Sequence, residues 1–253
     1  MKVVATYSIK GGVGKTTAAV NLAFEAARSG SRVLLWDLDP QGAATFFFRV
    51  KAKVRGGAAG LVGRRGALDG HIRASDVPGL HLVPADFSLR NLDLHLDAAK
   101  RPTERLGALL QPLADRYDLT LLDCPPGITL ASESVFGAAD ALLVPVIPTT
   151  LAARTLRQLA RFFGDMPDAP LVLPFFSMVD RRKRLHRELL ESLSATDSTF
   201  LHTPIPNSSV VERMGERRAP VAMFAPGAAP AHAFRDLWGE IARRLWSAAG
   251  DGP

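Results

Sequence analysis

Apolar residues fall along this chain in short, nearly unbroken runs separated by longer stretches of mixed polarity. Residues 2–7 (KVVATY), 32–36 (RVLLW), 80–83 (LHLV), 119–122 (LTLL), 141–147 (ALLVPVI) and 171–176 (LVLPFF) read as buried strands, with Pro145 marking a strand end or an irregularity. Three segments between and after them read as helices: 16–28, 151–163 and 231–248. The first places Val20, Phe24 and Ala27 toward a core and is followed by Gly30, a natural stop. The last carries Phe234, Leu237, Trp238, Ile241 and Leu245 on one stripe, with Arg235, Arg243 and Arg244 off it. Strands alternating with helices predict an α/β fold: one doubly wound, mostly parallel sheet with helices on both faces. No repeat, low-complexity tail or linker interrupts it, so residues 1–253 are expected to form a single domain.

Composition narrows the setting. At 253 residues, 47% hydrophobic and 22% charged, the chain has the ordinary usage of a globular domain. It has no apolar run long enough for a membrane span and enters its first strand at once, so neither span nor signal peptide is expected. The single Cys124 fits a reducing cytoplasm and argues against a thiolate-held cluster. The six histidines show no ligand spacing, so no structural metal is expected. The net charge of +6 is concentrated: residues 49–73 hold seven Lys/Arg against one acid, Asp69, and the remainder balances. That segment is glycine-rich and weakly periodic. It predicts a variable, mobile surface insertion at about 46–75, suited to nucleic acid phosphates, to an acidic partner, or only to solubility.

The most specific string is Lys10-Gly11-Gly12-Val13-Gly14-Lys15-Thr16-Thr17, between the first strand and the first helix. Glycines let successive backbone N–H groups converge, and the helix N-terminus adds its positive end, which together grip phosphate. In that frame Lys15 reaches the β- and γ-phosphates and the Thr16 hydroxyl ligates Mg²⁺. The ordinary phosphate loop would have glycine at position 9, where Ile9 stands, and a second lysine, Lys10, precedes the glycine pair. This deviant form, K-G-G-x-G-K-[ST], resembles the ParA/MinD family of dimeric ATPases. The resemblance implies ATP and Mg²⁺ as cofactors, and a Lys10 that crosses to the partner subunit's nucleotide.

Two further motifs stand at strand ends, where open α/β sheets bind ligands. Asp37-Leu38-Asp39-Pro40-Gln41 resembles the family's second acidic motif, and Asp123-Cys124-Pro125-Pro126-Gly127 its Walker B motif. Phosphoryl transfer requires neutralised charge and a positioned water. Lys10 and Lys15 supply charge, Asp123 holds Mg²⁺ through a water, and the resemblance makes Asp39 the residue that orients the attacking water. Asp37 is structural or contacts the magnesium waters. Where the family continues with a small residue and asparagine, Gly42-Ala43 follows, which removes an amide from this switch region. The similarity extends to Thr149-Thr150-Leu151-Ala152 at a helix start and to Asp180-Arg181-Arg182 after a strand ending near Ser177. His202-Thr203-Pro204-Ile205-Pro206-Asn207 is similar to the family segment beside the adenine, with Ile205 and Pro206 as its apolar wall.

The family positions cargo on the nucleoid or on membranes. A final helix docked on the sheet leaves no amphipathic tail for a membrane, so nonspecific DNA is the expected surface, with a nucleoid-associated cytoplasmic location. The candidate phosphate contacts are Arg181, Arg182, Lys183, Arg184, Arg187, Arg213, Arg217 and Arg218, interspersed with Glu188, Glu191, Glu212 and Glu216. The expected protein partners are a second copy, joined on ATP binding, and a stimulating protein of ParB type. The alternatives are a MinD-like membrane-associated ATPase, a regulatory ATPase of a polysaccharide or secretion system, and a metabolic ligase on the same scaffold.

Overall fold

In a computed structural model, which describes residues 1–63, 67–164, 166, 168–196 and 199–246, the apolar runs pair side by side. The strands are β1 (Lys2–Thr6), β2 (Val33–Asp37), β3 (Arg73–Ala74), β4 (Leu80–Val83), β5 (Leu119–Asp123), β6 (Ala141–Val146) and β7 (Leu171–Phe176). They form one sheet in the order β3-β4-β2-β5-β1-β6-β7. All neighbours are parallel except β3 with β4. The two-residue β3 carries no periodic signal, which is why the sequence does not reveal it. Pro145 stays inside β6: β1 pairs with β6 only as far as Leu143, so the proline lies where β7 alone is paired.

The helices are α1 (Lys15–Arg28), α2 (Ala43–Phe47), α3 (Gly57–Val62), α4 (Leu92–Asp97), α5 (Arg105–Leu110), α6 (Leu130–Ala138), α7 (Thr150–Gly164) and α8 (Arg184–Thr196). Four more follow: α9 (Ser209–Glu212), α10 (Met214–Arg217), α11 (Val221–Phe224) and α12 (Ala229–Trp246). Alternate residues of each strand feed opposite layers. Leu34 and Trp36 join Leu61, Leu96 and Phe136 on one face, while Val33 and Leu35 join Leu22, Phe234 and Ile241 on the other. The apolar stripe of α12 is buried against α1, and Trp238 Nε1 donates to Ser29 Oγ at 3.2 Å.

The basic segment differs from the mobile excursion expected of it. Val54, Ala58, Leu61, Val62 and Leu68 are buried in the core. Asp86 accepts the Val54 N–H at 2.7 Å, and Arg105 Nε donates to the Val62 carbonyl at 2.8 Å. Glycines dilute the apolar period along this stretch and hide a short helix that nonetheless packs. Its Arg64 and Arg65, the end of the predicted last helix at 247–248, and the side chain of Ala152 lie outside the described residues.

Candidate phosphate-binding site

Central β1 delivers the glycine-rich turn to the carboxyl edge of the sheet. Gly12 and Gly14 have φ of +74° and +97°, backbone that side chains rarely adopt. A Cβ on Gly14 would also come within 2.8 Å of Ser177 Oγ. Gly14 caps α1, yet no side chain caps the helix and its first turn holds no acid. The free N–H groups and the helix dipole are therefore left to an anion.

The two lysines part company here. Lys15 is buried, its Nζ donating to the Lys10 carbonyl at 3.3 Å. Burial lowers its pKa, opposed by the charges of Asp123, Cys124 and Asp39. Lys10 is exposed, and among the described residues its ammonium has no carboxylate partner.

Asp37 and Asp123 end neighbouring strands at the same register, so two buried carboxylates lie side by side. Desolvation, reinforced by mutual repulsion, raises the pKa of Asp123. Burial raises that of Asp37 against the pull of its hydrogen bonds. Their contacts separate their roles. Asp37 Oδ2 accepts the Thr45 N–H at 2.8 Å and hydroxyl at 2.7 Å, while Oδ1 accepts the Asp39 N–H at 3.2 Å. Asp37 thus holds the loop into α2. Asp123 Oδ1 accepts the Thr6 hydroxyl at 3.2 Å, and its buried Oδ2 has no partner. That orphaned oxygen, with the Thr16 side chain beside Asp123, fits a magnesium ion held through water. Asp39 is half-buried and takes the Gln41 N–H on Oδ1 at 2.9 Å, so it shapes its own turn while facing the charge of Lys15. Burial pushes the Cys124 thiol far up, which keeps it protonated and inert.

Ile205 and Pro206 wall a cavity of about 130 Å³ that opens on Gly14, Thr17 and Ser177. They are held there by the Ile205 N–H to the Phe176 carbonyl at 2.8 Å and the Asn207 N–H to the Val179 carbonyl at 2.9 Å. Glu240 of α12 fixes the preceding turn by accepting the His202 and Thr203 N–H groups at 2.8 and 3.1 Å.

The candidate phosphate contacts fall into two groups. Arg181, Arg182 and Lys183 follow β7 and lead into Arg184 and Arg187 of α8. Arg182 pairs with Asp180, Arg184 with Glu188, and Arg187 donates to the Arg181 carbonyl. In the second group Arg213 lies over Phe224, and Arg218 lies over Phe46. Arg181, Lys183 and Arg217 are exposed with no carboxylate partner among the described residues.

Sequence reasoning missed Thr45. Its hydroxyl both donates to Asp37 and accepts the Ala85 N–H at 2.9 Å, which makes it the pin of the loop that carries Asp39. The signal was a lone polar side chain among Ala43, Ala44 and three phenylalanines.

An uncapped helix start behind a glycine turn, facing an orphaned strand-end carboxylate, defines a phosphate-loop nucleotide-binding protein. Residues 1–169 match the AAA_31 family model, an AAA domain. The chain is 35% identical over 246 residues to the chromosome-partitioning ATPase Soj of Thermus thermophilus, with 94% of each chain covered. It is 30% identical over 254 residues to the chromosome partitioning protein ParA of Caulobacter vibrioides, covering 96% of this chain and 95% of that one. It superposes with a TM-score of 0.80 on a cobyrinic acid a,c-diamide synthase of Mycobacterium smegmatis solved with an ATP analogue and magnesium. That match has 24% identity and covers 100% of this chain and 98% of the other, a likeness of fold. The chain belongs to the ParA/MinD-type ATPase family, enzymes that take ATP with Mg²⁺.

Proposed function

We propose that this ATPase positions a chromosomal or plasmid locus, or a protein cargo, through nucleotide-gated, nonspecific DNA binding. The observation that carries the reading is the division of labour between its lysines. Lys15 is folded into the cradle, and Lys10 stands exposed at its rim without a counter-ion among the described residues. A second copy's triphosphate is the anion that completes Lys10. ATP then joins two copies face to face, each lending a cation to the other's nucleotide. Backbone N–H groups of Gly11 to Thr17 hold the phosphates, and Ile205 and Pro206 flank the base. Thr16 and Asp123 would hold Mg²⁺, which when bound neutralises phosphate charge. Asp39 orients the attacking water. A partner protein of ParB type accelerates a slow hydrolysis that dissolves the dimer.

The relatives named for chromosome partitioning support this reading over the metabolic ligase, since they are nearer in sequence than the synthase. The buried stripe of α12 favours nucleoid over membrane. Arg181, Lys183 and Arg217 are the leading phosphate contacts because their charges are uncommitted, and the chain acts on the cytoplasmic nucleoid.

Light scattering with Mg²⁺ and ATP tests it. Wild type is expected to dimerise and to shift random-sequence DNA in a salt-dependent way, while Lys10→Ala binds ATP and stays monomeric. Normal ATP-dependent dimerisation of Lys10→Ala refutes the exchange. Affinity for DNA that ignores both nucleotide and salt refutes the nucleoid role.

A further inference from the structure

A second cavity, of about 220 Å³, lies behind the glycine turn, between that turn, the end of β6 and the first part of α7. It shares no lining residue with the cavity that Ile205 and Pro206 wall. Its inner wall is apolar: Val13, Val144, Val146 and Leu159 are buried, and Ile9 and Leu156 half-buried. The exposed lining residues are Lys10, Gly11 and Thr149, which places the opening there. Lys10 is the one charged side chain among the described residues that line it, and no acid does.

The polar groups of the interior are already engaged. Ser8 Oγ accepts the Lys10 N–H at 3.2 Å, and the Thr155 hydroxyl donates to the Leu151 carbonyl at 3.1 Å. The Lys10 carbonyl takes Lys15 Nζ at 3.3 Å. Both backbone groups of Lys10 are therefore held, while its ammonium is left at the opening with no carboxylate partner among the described residues. A space lined by apolar side chains takes apolar matter, and one of about 150 Å³ admits the six carbons of benzene. On that scale this cavity admits about eight carbons. An apolar wall with one cation at the mouth matches the two ends of an amphiphile that carries a single negative charge.

We infer that this cavity binds a free monocarboxylate with an unbranched tail of about eight carbons, the tail against Val144, Leu156 and Leu159 and the carboxylate on Lys10. One cation suits a singly charged head better than a phosphate dianion, and the volume stops short of the longer chains of membrane lipids. Bound there, the acid occupies the ammonium that the positioning function gives to a second copy's triphosphate, and so keeps two copies apart. That consequence rests on the function proposed above; the binding itself does not.

The test uses the full chain and calorimetry with hexanoate, octanoate and decanoate. Each buried methylene is expected to add roughly fourfold in affinity, so octanoate binds roughly sixteenfold tighter than hexanoate, and decanoate gains nothing further. Octanol is expected to bind roughly tenfold or more weakly than octanoate, and octylamine more weakly still. Lys10→Ala is expected to bind octanoate and octanol alike. Leu156→Trp fills the space and abolishes binding, while Leu156→Ala enlarges it and moves the optimum to decanoate. Affinity that climbs evenly through decanoate in wild type, octylamine binding as tightly as octanoate, or an optimum indifferent to both Leu156 variants overturns the inference. Light scattering with Mg²⁺ and ATP reads the consequence: octanoate is expected to suppress dimerisation of wild type and not of Leu156→Trp. Wild-type dimerisation unchanged at saturating octanoate overturns the competition for Lys10. Octanoate bound with the expected selectivity to a chain that never dimerises with ATP supports the cavity and sinks the positioning function.

Discussion

Replacing Thr45 by valine keeps the side-chain shape and deletes one oxygen. That oxygen donates to buried Asp37 at 2.7 Å and accepts the buried Ala85 N–H at 2.9 Å. Without it the Ala85 N–H has no acceptor and cannot reach water, and Asp37 loses one of three donors. A buried donor left unpaired costs about 1–3 kcal/mol, and a hydrogen bond to a charged group contributes about 1.5–3 kcal/mol. Together the loss is about 3 kcal/mol, because the backbone N–H groups of Thr45 and Asp39 still reach Asp37. For a chain of this size that corresponds to a melting temperature lower by roughly 6–12 °C. Thr45→Ser keeps the oxygen and loses only a methyl, which costs about 1 kcal/mol. Urea unfolding of both variants separates hydroxyl from methyl. The Thr45→Val midpoint is expected to fall well below that of Thr45→Ser, with a larger loss of ATP turnover because the slackened loop carries Asp39. Equal midpoints, or a valine variant as stable as wild type, would refute the assignment of Thr45 as the pin.

Gly14→Ala puts a Cβ at φ +97° and 2.8 Å from Ser177 Oγ; a loss of about 2 kcal/mol in stability and at least tenfold in ATP affinity is expected by melting and calorimetry. Cys124 is buried and its thiol held protonated, so iodoacetamide is expected to leave the folded protein unmodified and to label it only in denaturant, read by mass spectrometry. Hydrogen bonds from Arg182 hold the Asp180 carboxyl down to about 2. Arg182→Ala is expected to return it toward about 4, read by NMR titration. Since the folded-state value is the depressed one, any stability from this pair is present above about pH 4 and lost as pH falls toward 2.

The central strands were legible because each is apolar on both faces: Val33 through Trp36 feeds two helical layers and so reads as an unbroken run. The cradle was legible because glycine, lysine and threonine at fixed spacing have few other uses. Thr45 was not, since one threonine in a short helix looks the same whether it faces water or a buried carboxylate. The packing of Val54, Leu61 and Leu68 was hidden by the glycines among them, which break the period that the three would otherwise write. The cavity beside Lys10 joins the glycine turn to α7, segments far apart in sequence, and only folding brings them together.

The sheet order sets a timetable for synthesis. β1 lies between β5 and β6, so it is enclosed only by strands made much later than itself. Its flanks are filled when residues 119 to 143 arrive, and the turn at His202 and Thr203 gains its anchor only once Glu240 has been translated. A growing polypeptide therefore displays its glycine turn long before it can trap a nucleotide.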